Sequence, residues 1–135
     1  MLSLMIAGFN GEASRVTDIL GLTPSLVRSA GELTPTGRPA RRTLWLYTVE
    51  HPEVCSGHSH NEAVRSLLAL IADRTERFVE VRRVLNPETM TITGGFYYAP
   101  DEQAGLWLDA DQMRVLADSG IGWGIDIFRA PDAQP

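Results

Sequence analysis

Leu2, Leu4 and Ile6 alternate with Ser3, Met5 and Ala7, a period of two that predicts an opening strand. The period then changes. Ala13, Val16, Ile19 and Leu20 fall on one helical face, with Asn10 as the expected N-cap and Gly21 as the stop. Leu22 to Val27 predicts a short helical restart, capped by Thr23 with Pro24 at the first helical position. Ser29 to Arg42 is rich in Gly, Pro, Thr and Arg and predicts a loop. Thr43 to Val49 alternates again, Leu44, Leu46 and Thr48 against Trp45, Tyr47 and Val49, and predicts a second strand.

Val64, Leu67, Leu68 and Ile71 mark the strongest helix, and the Ser59/Glu62 spacing is that of a capping box ahead of it. A further helix over Thr75 to Leu85 turns Phe78, Val81 and Leu85 one way and ends at Asn86-Pro87. Thr89 to Ala99 predicts a strand in which Gly94-Gly95 marks a bulge or a close backbone approach. Leu106 to Leu108 reads as a short strand. Asp109 then caps a helix carrying Met113, Leu116 and Ala117 that ends at Gly120, and Gly122 to Phe128 is the last strand. Residues 1–129 thus form one α+β domain, and the tail 130–135 is expected to fray. The order implies a single mixed or antiparallel sheet of four to five strands with helices packed on one face, a ferredoxin-like layer.

Three quoted stretches carry a resemblance: "FNGEASRVTDILGLTPS", "GRPARRTLWLYT" and "GLWLDADQMRVLADSGIGWGIDIF". Together they resemble the uncharacterised bacterial family called domain of unknown function 4279, over about Leu4 to Phe128. The resemblance implies a small α+β domain of unassigned activity, and it brings no catalytic residue with it.

Composition narrows the function classes. With 135 residues, 44% hydrophobic and 21% charged, the chain suits one globular core. A net charge of −5 argues against general nucleic-acid binding. No apolar run approaches the roughly 20 residues that span a bilayer, and "MLSLMIAGF" lacks the basic start of a signal peptide. A single cysteine suits a cytoplasmic setting.

Candidate chemistry concentrates in "HPEVCSGHSHNE", which holds all three histidines and the cysteine. Cys55, His58 and His60 could ligate zinc, the last of them if the backbone there is extended, with His51 or Glu53 as a fourth ligand. No second ligand pair exists, so a polar loop leading into a capped helix is preferred, with no cofactor. Cys55 as a nucleophile lacks a distant base and an oxyanion hole. Arg38, Arg41 and Arg42, with Arg28 upstream, could grip an anion or an acidic partner; all 12 residues of the Lys+Arg class are arginine. Asp126 stands one step off the Ile125/Ile127 face, with an arginine of the 38–42 loop as its expected partner. Asp109 and Asp111 read as helix capping, and Gly94-Gly95 lacks the helix and Lys-Ser/Thr of a phosphate loop.

Tyr97, Tyr98 and the tryptophans are expected mostly in the core, but on a sheet face without helical cover they would mark a dimer or partner surface. The function that follows is a non-enzymatic cytoplasmic interaction module, immunity-like in size and charge. Its partner is another protein or a second copy, with neither nucleic acid nor membrane involved. The alternative is a metal-binding protein or small hydrolase using Cys55, His58 and His60.

Overall fold

The structure is a computed structural model that describes residues 1–50, 57–98 and 106–129, with backbone alone at 57–59. Strand β1 (Leu2–Ala7) lies at the centre of a five-stranded sheet. It pairs antiparallel with β3 (Leu44–Val49) on one side and β4 (Thr89–Tyr98) on the other. Beyond β3 lies β2 (Leu26–Arg28), antiparallel, and beyond β4 lies β5 (Gly122–Arg129), parallel. The mixed sheet therefore has the order β2-β3-β1-β4-β5.

Alternation decides which face is buried. Leu2, Leu4 and Ile6 share a face with Trp45, Met90, Ile92 and Phe96, all buried. Onto that face pack α1 (Ala13–Leu20), α2 (Gly57–Ala72), α3 (Thr75–Leu85) and α4 (Ala110–Ser119). Val16 and Leu20, Val64, Leu67, Leu68 and Ile71, Phe78, Val81 and Leu85, and Leu116 join the strand residues in one core. The Trp45 indole is fully buried and donates from Nε1 to Thr17 Oγ1 at 3.1 Å, so its one polar atom is satisfied. This is the expected α+β layer, compatible with a ferredoxin-like arrangement.

Helix ends are closed by identifiable groups. Gly21 and Gly120 both adopt left-handed conformations, φ 67° and 68°, which a side chain would strain. At the end of α1, Arg74 Nε and Arg77 Nη1 donate to the Leu20 carbonyl at 3.0 and 3.2 Å. Asp109 and Gln112 form a reciprocal capping box on α4.

Four local expectations give way to tertiary pairing or backbone geometry. Leu26–Arg28 is a strand and not a helical restart, because the open edge of β3 takes up its backbone groups: Ser25 N donates to Leu46 O at 2.7 Å and Thr48 N to Ser25 Oγ at 3.0 Å. The N-cap of α1 is Glu12, not Asn10; Gly11 at φ 93° delays the helix, and Asn10 N is held by Leu85 O. Helix α2 begins at Gly57, so Ser59 lies within it and cannot cap it. Leu106–Leu108 has no ladder partner among the described residues; the chain there runs straight into the cap of α4.

Candidate functional site

In β1, Ser3, Met5 and Ala7 point away from the helices, and the register carries that face across the sheet. It collects Leu26 and Arg28 from β2, Leu44, Leu46 and Thr48 from β3, and Thr89, Thr91, Thr93 and Tyr97 from β4. From β5 it takes Gly122, Gly124, Asp126 and Phe128. Among the described residues no helix covers this face. Met5, Leu44, Leu46 and Tyr97 are half-buried, and Leu26 and Phe128 are 40% and 44% exposed. Of the aromatics singled out in the sequence, Tyr97 lies on this face, and its ring stacks on that of Phe128 with centroids 5.1 Å apart.

A depression of about 520 Å³ opens on this face, lined by Met1, Ser3, Leu46, Glu50, Thr93, Gly94, Gly95 and Tyr97. Its floor is low at Gly95, the residue of β4 on this face that lacks a side chain; Gly94 turns to the opposite face. At Gly94 the lack is imposed: a Cβ would strike the Met1 carbonyl oxygen and lie 3.2 Å from Leu2 Cα. That is the close backbone approach foreseen from the Gly-Gly pair. Ser3 Oγ and Thr48 Oγ1 bond each other at 3.0 Å, which satisfies the hydroxyl pair beside the depression. Glu50 at its rim and Asp126 on β5 are exposed carboxylates, so the end of the face carrying Tyr97 and Phe128 is acidic and aromatic.

The other tryptophans divide. Trp45 and Trp123 belong to the core side, whereas Trp107 is 75% exposed ahead of α4.

The arginine loop borders the opposite end of this face from Tyr97 and Phe128. Residues 29–42 fold as a hydrogen-bonded turn, with Leu33 bridged to Pro39, Thr34 N donating to Arg38 O and Ala40 N to Glu32 O. Arg38 and Arg41 are exposed on it. Arg42 reaches Glu88 Oε2 at 3.5 Å and Thr89 Oγ1 at 3.2 Å, an exposed pair of small energetic worth. It is thereby tied to the start of β4, while Asp126 faces Gly95 near the other end. Six residues of strand separate those points, about 20 Å at the usual rise. The expected pairing of Asp126 with this loop is therefore overturned, and among the described residues Asp126 forms no ion pair.

Of the histidine and cysteine cluster, His51, Glu53 and Cys55 lie outside the described residues, as does the side chain of His58. His60 is described. It is 1% exposed, on the core side, with its ring 4.5 Å from that of Phe96. The backbone at that point is helical, not the extended form that a shared ion with Cys55 and His58 was expected to need. Among the described residues no group of three metal-ligating side chains converges.

With this geometry in place, the comparisons decide the family. The family model described as a domain of unknown function (DUF4279) matches residues 1–128. The chain belongs to that family. No curated protein and no solved structure matches it. The residues that carry the DUF4279 resemblance stand at fold-defining points: Gly21 closes α1, Asp109 opens α4, and Gly120 closes it. No helix among the described residues is long and apolar enough to cross a membrane.

Proposed function

We propose that this chain is a binding module that docks a protein partner on its helix-free sheet face. One observation carries the reading: the helix-free face of a sheet whose other face already holds the core bears apolar Met5, Leu26, Leu44 and Leu46 towards one end and the stacked Tyr97 and Phe128 at the other, with Leu46 and Tyr97 both lining the depression between them. Aromatic rings presented on rigid strands are the side chains that dominate protein interfaces, because they bury much area at little entropic cost. Glu50 and Asp126 flank the rings, and the chain carries a net charge of −5, so the partner surface that fits is apolar with a basic rim. Neutralisation of a basic toxin, as an immunity protein does it, is one form of such binding. The reading needs no reactive group, and the depression beside Tyr97 is a receptacle for a partner side chain.

The test is capture of proteins from a lysate of the source cell on the immobilised chain, compared with Leu46→Glu and Phe128→Ser variants. A basic protein held by the native chain and lost by both variants, yet retained by an Arg38→Ala/Arg41→Ala variant, is the expected outcome. Equal capture by all of them would overturn the proposal.

A further inference from the structure

The two edges of the sheet are unlike. β2 is only three residues long, which blunts it as a template for further strands. β5 runs for eight residues without Lys or Pro, and among the described residues no strand pairs with its outer side. Its second half is exposed, with the apolar Ile127 at 43% and Phe128 at 44% between Asp126 and Arg129. It also carries a glycine at 124 that the fold does not need. The backbone there is not left-handed, and among the described residues a Cβ would meet nothing within 4 Å. A strand glycine without an internal reason marks a place for something from outside.

We infer that a second copy of this chain pairs antiparallel with β5 about a two-fold axis at Ile125, joining the two sheets into one. In such pairing opposed residues lie on the same face, so the axis must pass through a residue and not between two. Only axes at Ile125 or Asp126 engage seven of the eight residues. An axis at Asp126 sets that carboxylate directly against its own copy, which is repulsive. An axis at Ile125 sets Asp126 against Gly124 of the second copy, Phe128 against Gly122, Trp123 against Ile127, and Ile125 against itself. Each large side chain on the open face then covers a glycine, a cross-strand complement that stabilises glycine-containing edges. On the core side the pairs are aromatic on β-branched or β-branched on β-branched, the favourable kind. The second copy is thus selected by the spacing of "GWGIDIF" itself. Pairing would place two helix-free faces side by side, and it stands independently of what docks on them.

Sedimentation equilibrium of the full chain over a wide concentration range tests this. The native chain should dimerise. Gly124→Asp puts a carboxylate against Asp126 of the second copy twice per dimer and should weaken association by about tenfold. Gly124→Arg occupies the same open space with the opposite sign and should leave association equal or tighter. The double variant G124D/D126R should recover it. A native chain monomeric throughout, or Gly124→Asp and Gly124→Arg that shift the equilibrium alike, would overturn the inference. Should Gly124→Asp fold poorly by circular dichroism, amide exchange of the native chain decides. Protection along β5 that rises with protein concentration upholds the pairing, and protection that does not rise sinks it.

Discussion

The rings of Tyr97 and Phe128 stack across the parallel β4–β5 pair, 5.1 Å between centroids, on the face of the sheet away from the helices. Because Phe128 is exposed and lies outside the core cluster, its truncation removes little core. Phe128→Ala should lower stability by no more than about 1 kcal/mol, the worth of an aromatic pair near the surface. Partner capture by the same variant should fall severalfold. A urea titration beside a binding measurement separates the two effects; a loss of several kcal/mol would mean that the ring belongs to the core.

Gly94 presents the opposite case. Its neighbour across the β1–β4 ladder is Leu2, and the Met1 carbonyl occupies the space of a Cβ. Gly94→Val should force the start of β1 off the ladder at a cost of about 1–3 kcal/mol, typical of overpacking. Gly95→Ala, whose Cβ would rest 3.5 Å from the Phe128 ring at ordinary contact distance, should be tolerated. Thermal melts of both variants check the contrast.

Thr17→Val would remove the acceptor of the buried Trp45 indole while keeping the shape of the side chain. Leaving that donor unsatisfied should cost about 1–2 kcal/mol. Tryptophan fluorescence during denaturation reports the change, and a variant as stable as the native chain would show that the bond contributes nothing net.

Asp109 and Asp111 look alike in sequence and differ in the fold. Asp109 Oδ1 accepts from Gln112 N at 2.7 Å as the N-cap of α4, whereas Asp111 pairs with Arg114 in solvent. Asp109→Ala should destabilise by about 1 kcal/mol. Asp111→Ala should stay within about 0.5 kcal/mol. Equal losses from the two in a denaturant titration would contradict the capping assignment.

The contrast between these residues shows which signals are local. The N-cap at Asp109 and the stops at Gly21, Asn86 and Gly120 depend on neighbours within a few positions, so they are legible in the chain alone. Leu26–Arg28 was not, because a free edge on β3, distant in sequence, outbid the local Thr-Pro helix signal. The Ser59/Glu62 spacing misled for a related reason: α2 starts at Gly57, upstream of the pair.

The candidate site divides along the same line. That Tyr97 belongs to one face of its strand was readable from alternation; the Phe128 ring beside it was not singled out. That no helix among the described residues covers this face, and that Asp126 stands far from Arg42, depended on the tertiary arrangement. Period-two and helical spacing by themselves determined the layers and the core residues, because burial of apolar side chains repeats with the geometry of each element. Only the tertiary structure decided the strand order, with β1 at the centre and β5 left at an edge. Which strands become neighbours is set by backbone pairing between segments far apart in the chain, and no local pattern encodes that pairing.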